Sequence, residues 1–203
     1  AENGELQRVD VTVTNQTKRI AGIEARVVHD LVTKDGEKVE DTFDWYAQDK
    51  DGNLWYLGED TKEYENGKVT STEGSWEHGV DGAQAGIIVP AEPKQGLTYR
   101  EEYYAGHAED AAEVLSVDGK VQVPFGMFRD AMMTRNYSGI EPNVEELKYY
   151  ARGVGPVHEE PVPDEELYPA DTGLDWSHVE VLKVGADAVR ANFERYGLLD
   201  DRV

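Results

Sequence analysis

Four short dipeptides constrain this chain more than anything else in it: Asp35-Gly36, Asp51-Gly52, Asn66-Gly67 and Asp118-Gly119. Each separates stretches in which apolar and polar residues alternate. A two-residue hairpin loop needs positive φ at both centres, and Asn or Asp followed by Gly meets that need at least steric cost. Alternation with a period of two is the mark of a strand with one face inside and one outside. Val9, Val11 and Val13 alternate with Arg8, Asp10, Thr12 and Thr14, predicting a first strand with one buried and one wet face. A second strand is expected over Ile23 to Thr33, a third over Val39 to Gln48 and a fourth from Leu54. Beyond a Gly-rich connection from Gly74 to Gly86, shorter strands are expected at Gly86 to Val89, Thr98 to Tyr104 and Ala112 to Val117. Asp118-Gly119 reads as a turn into Val121 to Val123, and strands follow at Met127 to Asn136 and Val144 to Ala151. Roughly ten strands exceed what a lone open sheet holds comfortably. The expected fold is mainly β, an antiparallel meander forming a curled sheet or partly closed barrel.

The chain changes character near Glu159. Glu159 to Glu166 is acidic and carries Pro161 and Pro163, the composition of a linker. After it, Ala186, Val189, Phe193 and Tyr196 fall at helical spacing, with Gly197 placed as the residue just past a helix end. One C-terminal helix is therefore expected, and the division is a β domain over 1–158 with an acidic linker and helical tail over 159–203. The first part holds 30 acidic against 16 basic residues and the second 12 against 4, so negative charge is denser in the tail.

Composition narrows the function classes. The 203 residues carry a net charge of -22, which would suit a disordered chain, but 4 Trp, 11 Tyr and 4 Phe argue for a packed core. Nucleic acid is excluded as a partner, because phosphate recognition needs clustered Lys and Arg. Anionic membrane surfaces are disfavoured on the same ground, and no run approaches the roughly 18 to 20 apolar residues of a membrane span. With no cysteine there is no disulfide, thiolate metal site or thiol nucleophile. The opening residues AENGELQ show no signal-peptide pattern and read as those of a mature or trimmed chain.

Candidate sites compete with plainer readings. Asp49, Asp51 and Asn53 have the first three spacings of a calcium loop, with Asp60 at the twelfth position. The glycine that such a loop wants at its sixth position is displaced to Gly52, and Leu54 stands there instead, so a hairpin turn is favoured. His107, Glu109 and Asp110 are the one histidine–carboxylate cluster, while His78, His158 and His178 lie far off in sequence; a solvated turn is favoured over zinc. Ser75, Ser116 and Ser138 lack a nucleophile-elbow context. No catalytic, cofactor-binding or metal residue is assigned, and no cofactor is expected. The aromatics Trp45, Tyr46, Trp55, Tyr56, Trp76, Tyr103, Tyr104, Tyr149 and Tyr150 are the most suggestive set. Adjacent aromatics in a strand point to opposite faces, so one set fills the core and the other is available for a cavity or binding face.

Two resemblances accompany these readings. Glu40–Asp49, Asn53–Asp60, Glu73–Glu77, Tyr99–Glu113 and Lys148–Val157 resemble uncharacterised bacterial cell-envelope β-proteins, lipoprotein or secreted, over residues 5–158. That resemblance implies an extracellular or envelope location and a chain shortened at its start. Pro163–Asp171 and Val189–Asp201 are similar to an internal loop and helix of the macrocin O-methyltransferase family, over 160–203. Members of that family use S-adenosylmethionine and a divalent metal, but their Gly-rich cofactor loop, ribose-binding acid and metal-binding acids have no counterpart here. The chain stops at Val203, where the family's next core strand would begin. The pattern is that of a hybrid sequence. The expected function is a non-enzymatic binding or scaffolding module for an unknown ligand or protein. The alternatives are an inactive fragment-bearing relative of the methyltransferases and a calcium-binding β-protein.

Overall fold

The computed structural model of the protein describes residues 7–141 and 144–163. They form strands β1 (Gln7–Ile20), β2 (Ile23–Lys34), β3 (Glu37–Gln48), β4 (Leu54–Glu65), β5 (Lys68–Ser71), β6 (Trp76–Glu77), β7 (Gln84–Val89), β8 (Thr98–Arg100), β9 (Glu102–Tyr103), β10 (Asp110–Val123), β11 (Gly126–Ser138), β12 (Glu145–Ala151) and β13 (Gly155–Pro161). All pairings are antiparallel, so the chain is mainly β, as expected. An eight-stranded sheet runs β1-β2-β3-β4-β7-β9, with β5 and β6 also on β4; a five-stranded sheet runs β13-β12-β11-β10-β8. Neither closes into a barrel. The sheets meet at Thr98–Tyr103, where β8 belongs to one, β9 to the other and Glu101 lies between them. Gly86 makes that corner possible, since a Cβ there would lie 2.4 Å from the Glu101 carbonyl carbon. The expected C-terminal helix falls outside the described residues.

The turn chemistry separates into two uses of glycine. At Asp35-Gly36 and Asn66-Gly67 both centres have positive φ and the flanking pairs Lys34↔Glu37 and Glu65↔Lys68 close two-residue loops, as the dipeptides predict. Ala21-Gly22 makes the same turn, with φ of 48° and 88°, without an Asn or Asp to announce it. Asp118-Gly119 is a correction. β10 continues through it, and the reversal occurs instead at Pro124-Phe125, between Val123 and its partner Gly126. Gly119 sits opposite Ala131 among register shifts, and a Cβ there would lie 2.8 Å from the Ala131 carbonyl oxygen. Glycine at this point allows a bulge with close backbone approach, the other use that strands make of it.

The first strand also departs from its pattern. Val9, Val11 and Val13 are 53%, 61% and 71% exposed, because β1 is an edge strand and the core begins only at Ile20. One core cluster joins Ile20, Ile23, Val27, Trp45, Trp55 and Leu57 to Tyr99, Val114, Met132 and Tyr150 of the other sheet. A second, smaller cluster holds Tyr56, Trp76, Ala83 and Ala108, with Tyr46 and Tyr104 against it.

Candidate functional site

The neighbouring aromatics divide between the clusters as a pleated strand requires. Trp45 and Trp55 join the large core while Tyr46 and Tyr56 join the small one. Within the small cluster Tyr46 stacks on Tyr56 at 4.9 Å and Tyr56 meets Trp76 edge-on at 5.4 Å. These rings pack on one another. Tyr103 receives the Arg100 guanidinium on its face, and Tyr149 lies beside His158.

Carboxyl groups crowd the same region. Tyr56 Oη donates to Asp44 Oδ1 at 2.7 Å, and Trp76 Nε1 donates to Glu102 Oε2 at 2.6 Å. Asn136 Nδ2 donates to Glu101 Oε2 at 2.7 Å, while the other oxygen of Glu101 is buried with no partner among the described residues. Burial pushes Asp44 up to about 6, Glu101 to about 7 and Glu59 to about 8, with neighbouring acids adding to each rise. Burial raises Glu102, with Asp110 and Glu59 adding to it, and burial raises Asp110, with Glu141 and Glu146 adding to it. Lys148 stands among them. Burial opposes its charge, but Glu101, Glu159 and Glu146 outweigh that and hold it protonated. The arrangement stores protons at neutral pH. Among the described residues no group of three or more His, Asp or Glu is disposed to hold a metal ion.

The residues singled out by sequence mostly serve local structure. The Asp49 carboxylate accepts from the Asn53 backbone N–H, Asn53 Nδ2 and Trp55 Nε1 at 2.8 to 2.9 Å, which ties the β3–β4 turn to the core. Those donors occupy the acceptor directions a calcium ion would need. Asp60 is paired with Lys62 on the strand that follows. His107 stacks on Tyr104, Glu109 accepts from the Gly106 N–H, and Asp110 turns inward to Ser138, so that cluster separates. Ser75 bridges the Thr61 backbone and Ser116 donates to Asp118; among the described residues none of the three serines bonds a histidine. His78 is buried and accepts from the Ala85 N–H through Nδ1, while His158 lies 3.5 Å from Glu160. His178 falls outside the described residues.

A cavity does form beside the Asp49 turn. It has a volume of about 420 Å³ and is lined by Asp51, Asn53, Ile87, Pro90, Ala91, Glu92, Leu97 and Tyr99. Asn53 builds it. Its side-chain oxygen accepts from the Ala91 N–H at 2.9 Å while its amide donates to Asp49, splicing the β3–β4 turn to the β7–β8 connection. Tyr99 is fully buried, with its hydroxyl on the Ile88 carbonyl, and Ile87 is buried beside it. Asp51 and Glu92 are exposed and make no hydrogen bond or ion pair among the described residues. Sequence reasoning weighed Asp51 and Asn53 as calcium ligands and favoured a hairpin turn for them. It missed Glu92 and Leu97, which stand some forty positions later and reach the site only through the β7–β8 connection. The chain matches no protein-family model, no curated protein and no solved structure.

Proposed function

We propose that the protein is a non-enzymatic binding module of the cell-envelope type, and that the cavity beside Asp49 holds a small organic cation with an apolar body. The carrying observation is the contrast between the apolar floor, Ile87, Leu97 and Tyr99, and the two uncommitted carboxylates, Asp51 and Glu92. No Lys or Arg lines it. Its volume falls in the range of about 300–1,000 Å³ in which small-ligand sites are found. The binding reading also draws on the resemblance of residues 5–158 to envelope β-proteins, which implies a location outside the cytoplasm. No helix among the described residues is long and apolar enough to cross a membrane.

Titration with hexylammonium chloride, followed by amide NMR, tests the reading. Saturable shifts are expected at Ala91, Leu97 and Tyr99, with 1-hexanol binding about five-fold more weakly, the effect of exposed charge pairs. The double variant Asp51→Asn, Glu92→Gln should bring the two ligands to parity. Absence of saturable shifts at millimolar ligand, or equal binding of the alcohol to the unaltered protein, overturns it.

A further inference from the structure

Beyond Ala131 the β10–β11 hairpin is paired only with itself. β12 pairs with β11 from Met132 to Tyr137, and β8 pairs with β10 only from Ala111 to Glu113. The segment from Gly119 to Arg129 is therefore a two-stranded arm whose strands have no third neighbour. Val121, on the tip side of Lys120, is buried, and the end beyond it is bare. Phe125 is 92% exposed and Met127 52% exposed, and Phe125 stacks on Phe128 with centroids 6.2 Å apart. Pro124, with its fixed φ, stiffens the turn that presents them. Exposed aromatic and Met side chains gathered on one projecting tip are costly in water and mark a contact surface.

The charge of the arm is opposite to that of the rest. From Gly119 to Arg129 it contains Lys120 and Arg129 and no acid, a local charge of +2 in a chain of -22. Lys120 and Arg129 are directly paired across the two strands, and neither has an ion pair among the described residues. Like charges placed opposite one another are unfavourable in a free sheet and become favourable when an anion lies between them. The order along the arm is apolar tip, then paired cations, then Asp118 and Asp130 at the base. Acyl chains overlain by phosphates present the complement of that order.

We infer that the β10–β11 hairpin is a membrane-surface anchor: Phe125 and Met127 enter the acyl boundary of a bilayer while Lys120 and Arg129 engage anionic lipid phosphates. The anchor is separate from the cavity beside Asp49, so each stands or falls alone. The whole-chain charge disfavours anionic membranes; the fold concentrates the exception at one tip.

Co-sedimentation of the full chain with vesicles at 0.15 M salt is the test, using phosphatidylcholine alone and phosphatidylcholine with 30% phosphatidylglycerol. The unaltered protein should bind the anionic vesicles. Phe125→Ser should weaken that binding about tenfold or more, the value of burying one large apolar side chain. Lys120→Ser with Arg129→Ser should remove the preference for phosphatidylglycerol, about fivefold per cation. Because these side chains are exposed, unchanged circular dichroism is expected for both variants and serves as the folding control. Failure of the unaltered protein to bind either vesicle, or equal binding by Phe125→Ser, overturns the inference. A sedimentation-velocity dimer that Phe125→Ser abolishes would also overturn it, by assigning the tip to a second copy of the chain.

Discussion

Asp44, Glu101 and Glu59 hold their protons to pH values of about 6, 7 and 8, whereas carboxyls of an unfolded chain lose them near 4. The folded state then binds more protons than the unfolded one between those limits, so stability falls as pH rises through them. Asp41 works in the other direction. Lys38 and His29 outweigh its burial and hold it below the usual range, so its contribution is lost only in stronger acid. Maximum stability is therefore expected near pH 5. Raising pH from 5 to 8.5 should lower the melting temperature by at least about 5 °C, at about 2–4 °C per kcal/mol for a chain of this size. Glu59→Gln should make the profile shallower from about pH 5 to about 8 and leave the side below about pH 4 unchanged, as calorimetry across pH would show. A melting temperature that climbs steadily to pH 8.5 would contradict this account. Asp49 teaches a different lesson at the same scale: its carboxylate is fixed by three donors from its own turn and the following strand, so an acidic spacing that suits calcium is used to close a hairpin.

Among the elements, β4 depends on a single residue. Gly58 has a φ of 131°, and a Cβ there would lie 2.2 Å from the Trp76 carbonyl oxygen. It lies where β3–β4 register shifts between Asp44 and Tyr46, and where β6 docks through Gly58↔Glu77 and Glu59↔Trp76. Gly58→Ala should cost at least about 2 kcal/mol, from backbone strain together with the clash. Gly67→Ala, with a φ of 73° and open space around it, should cost about 1 kcal/mol. Urea unfolding measures both, and a reversed order would mean that β6 is not held as described. The hairpins at Asp35-Gly36 and Asn66-Gly67 were legible from their dipeptides, since turn type depends on local φ alone. Asp118-Gly119 was not, because a bulge and a turn ask the same freedom of glycine and only the partner strand distinguishes them. β6 and β13 escaped notice for a related reason. Two residues of β6 carry no period, and β13 holds Pro156 and Pro161 around a single apolar residue, Val157, and the polar run His158-Glu159-Glu160.

For the molecule as a whole, 42 acidic residues against 20 basic ones impose self-repulsion that compaction must overcome. The ion pairs are mostly short-range and partly exposed, such as Arg8–Asp10 and Lys62–Asp60, and each is worth little. Raising NaCl from 0.02 to 0.5 M should therefore increase the melting temperature, since screening relieves more repulsion than attraction. A decrease would show that the attractive pairs dominate. By itself the sequence determined the β class, most strand positions, the hairpins at Asp35-Gly36 and Asn66-Gly67 and the division of Trp45 from Tyr46 and Trp55 from Tyr56, because these follow from period and local dihedral preference. Only the tertiary structure decided that the first three valines stay exposed on an edge, that Glu92 and Leu97 join Asp51 around one cavity, and that Phe125 stands exposed at the turn of a hairpin that carries Lys120 and Arg129. Those outcomes depend on which strands find a third neighbour and where the chain returns after long separations, and no local pattern encodes either.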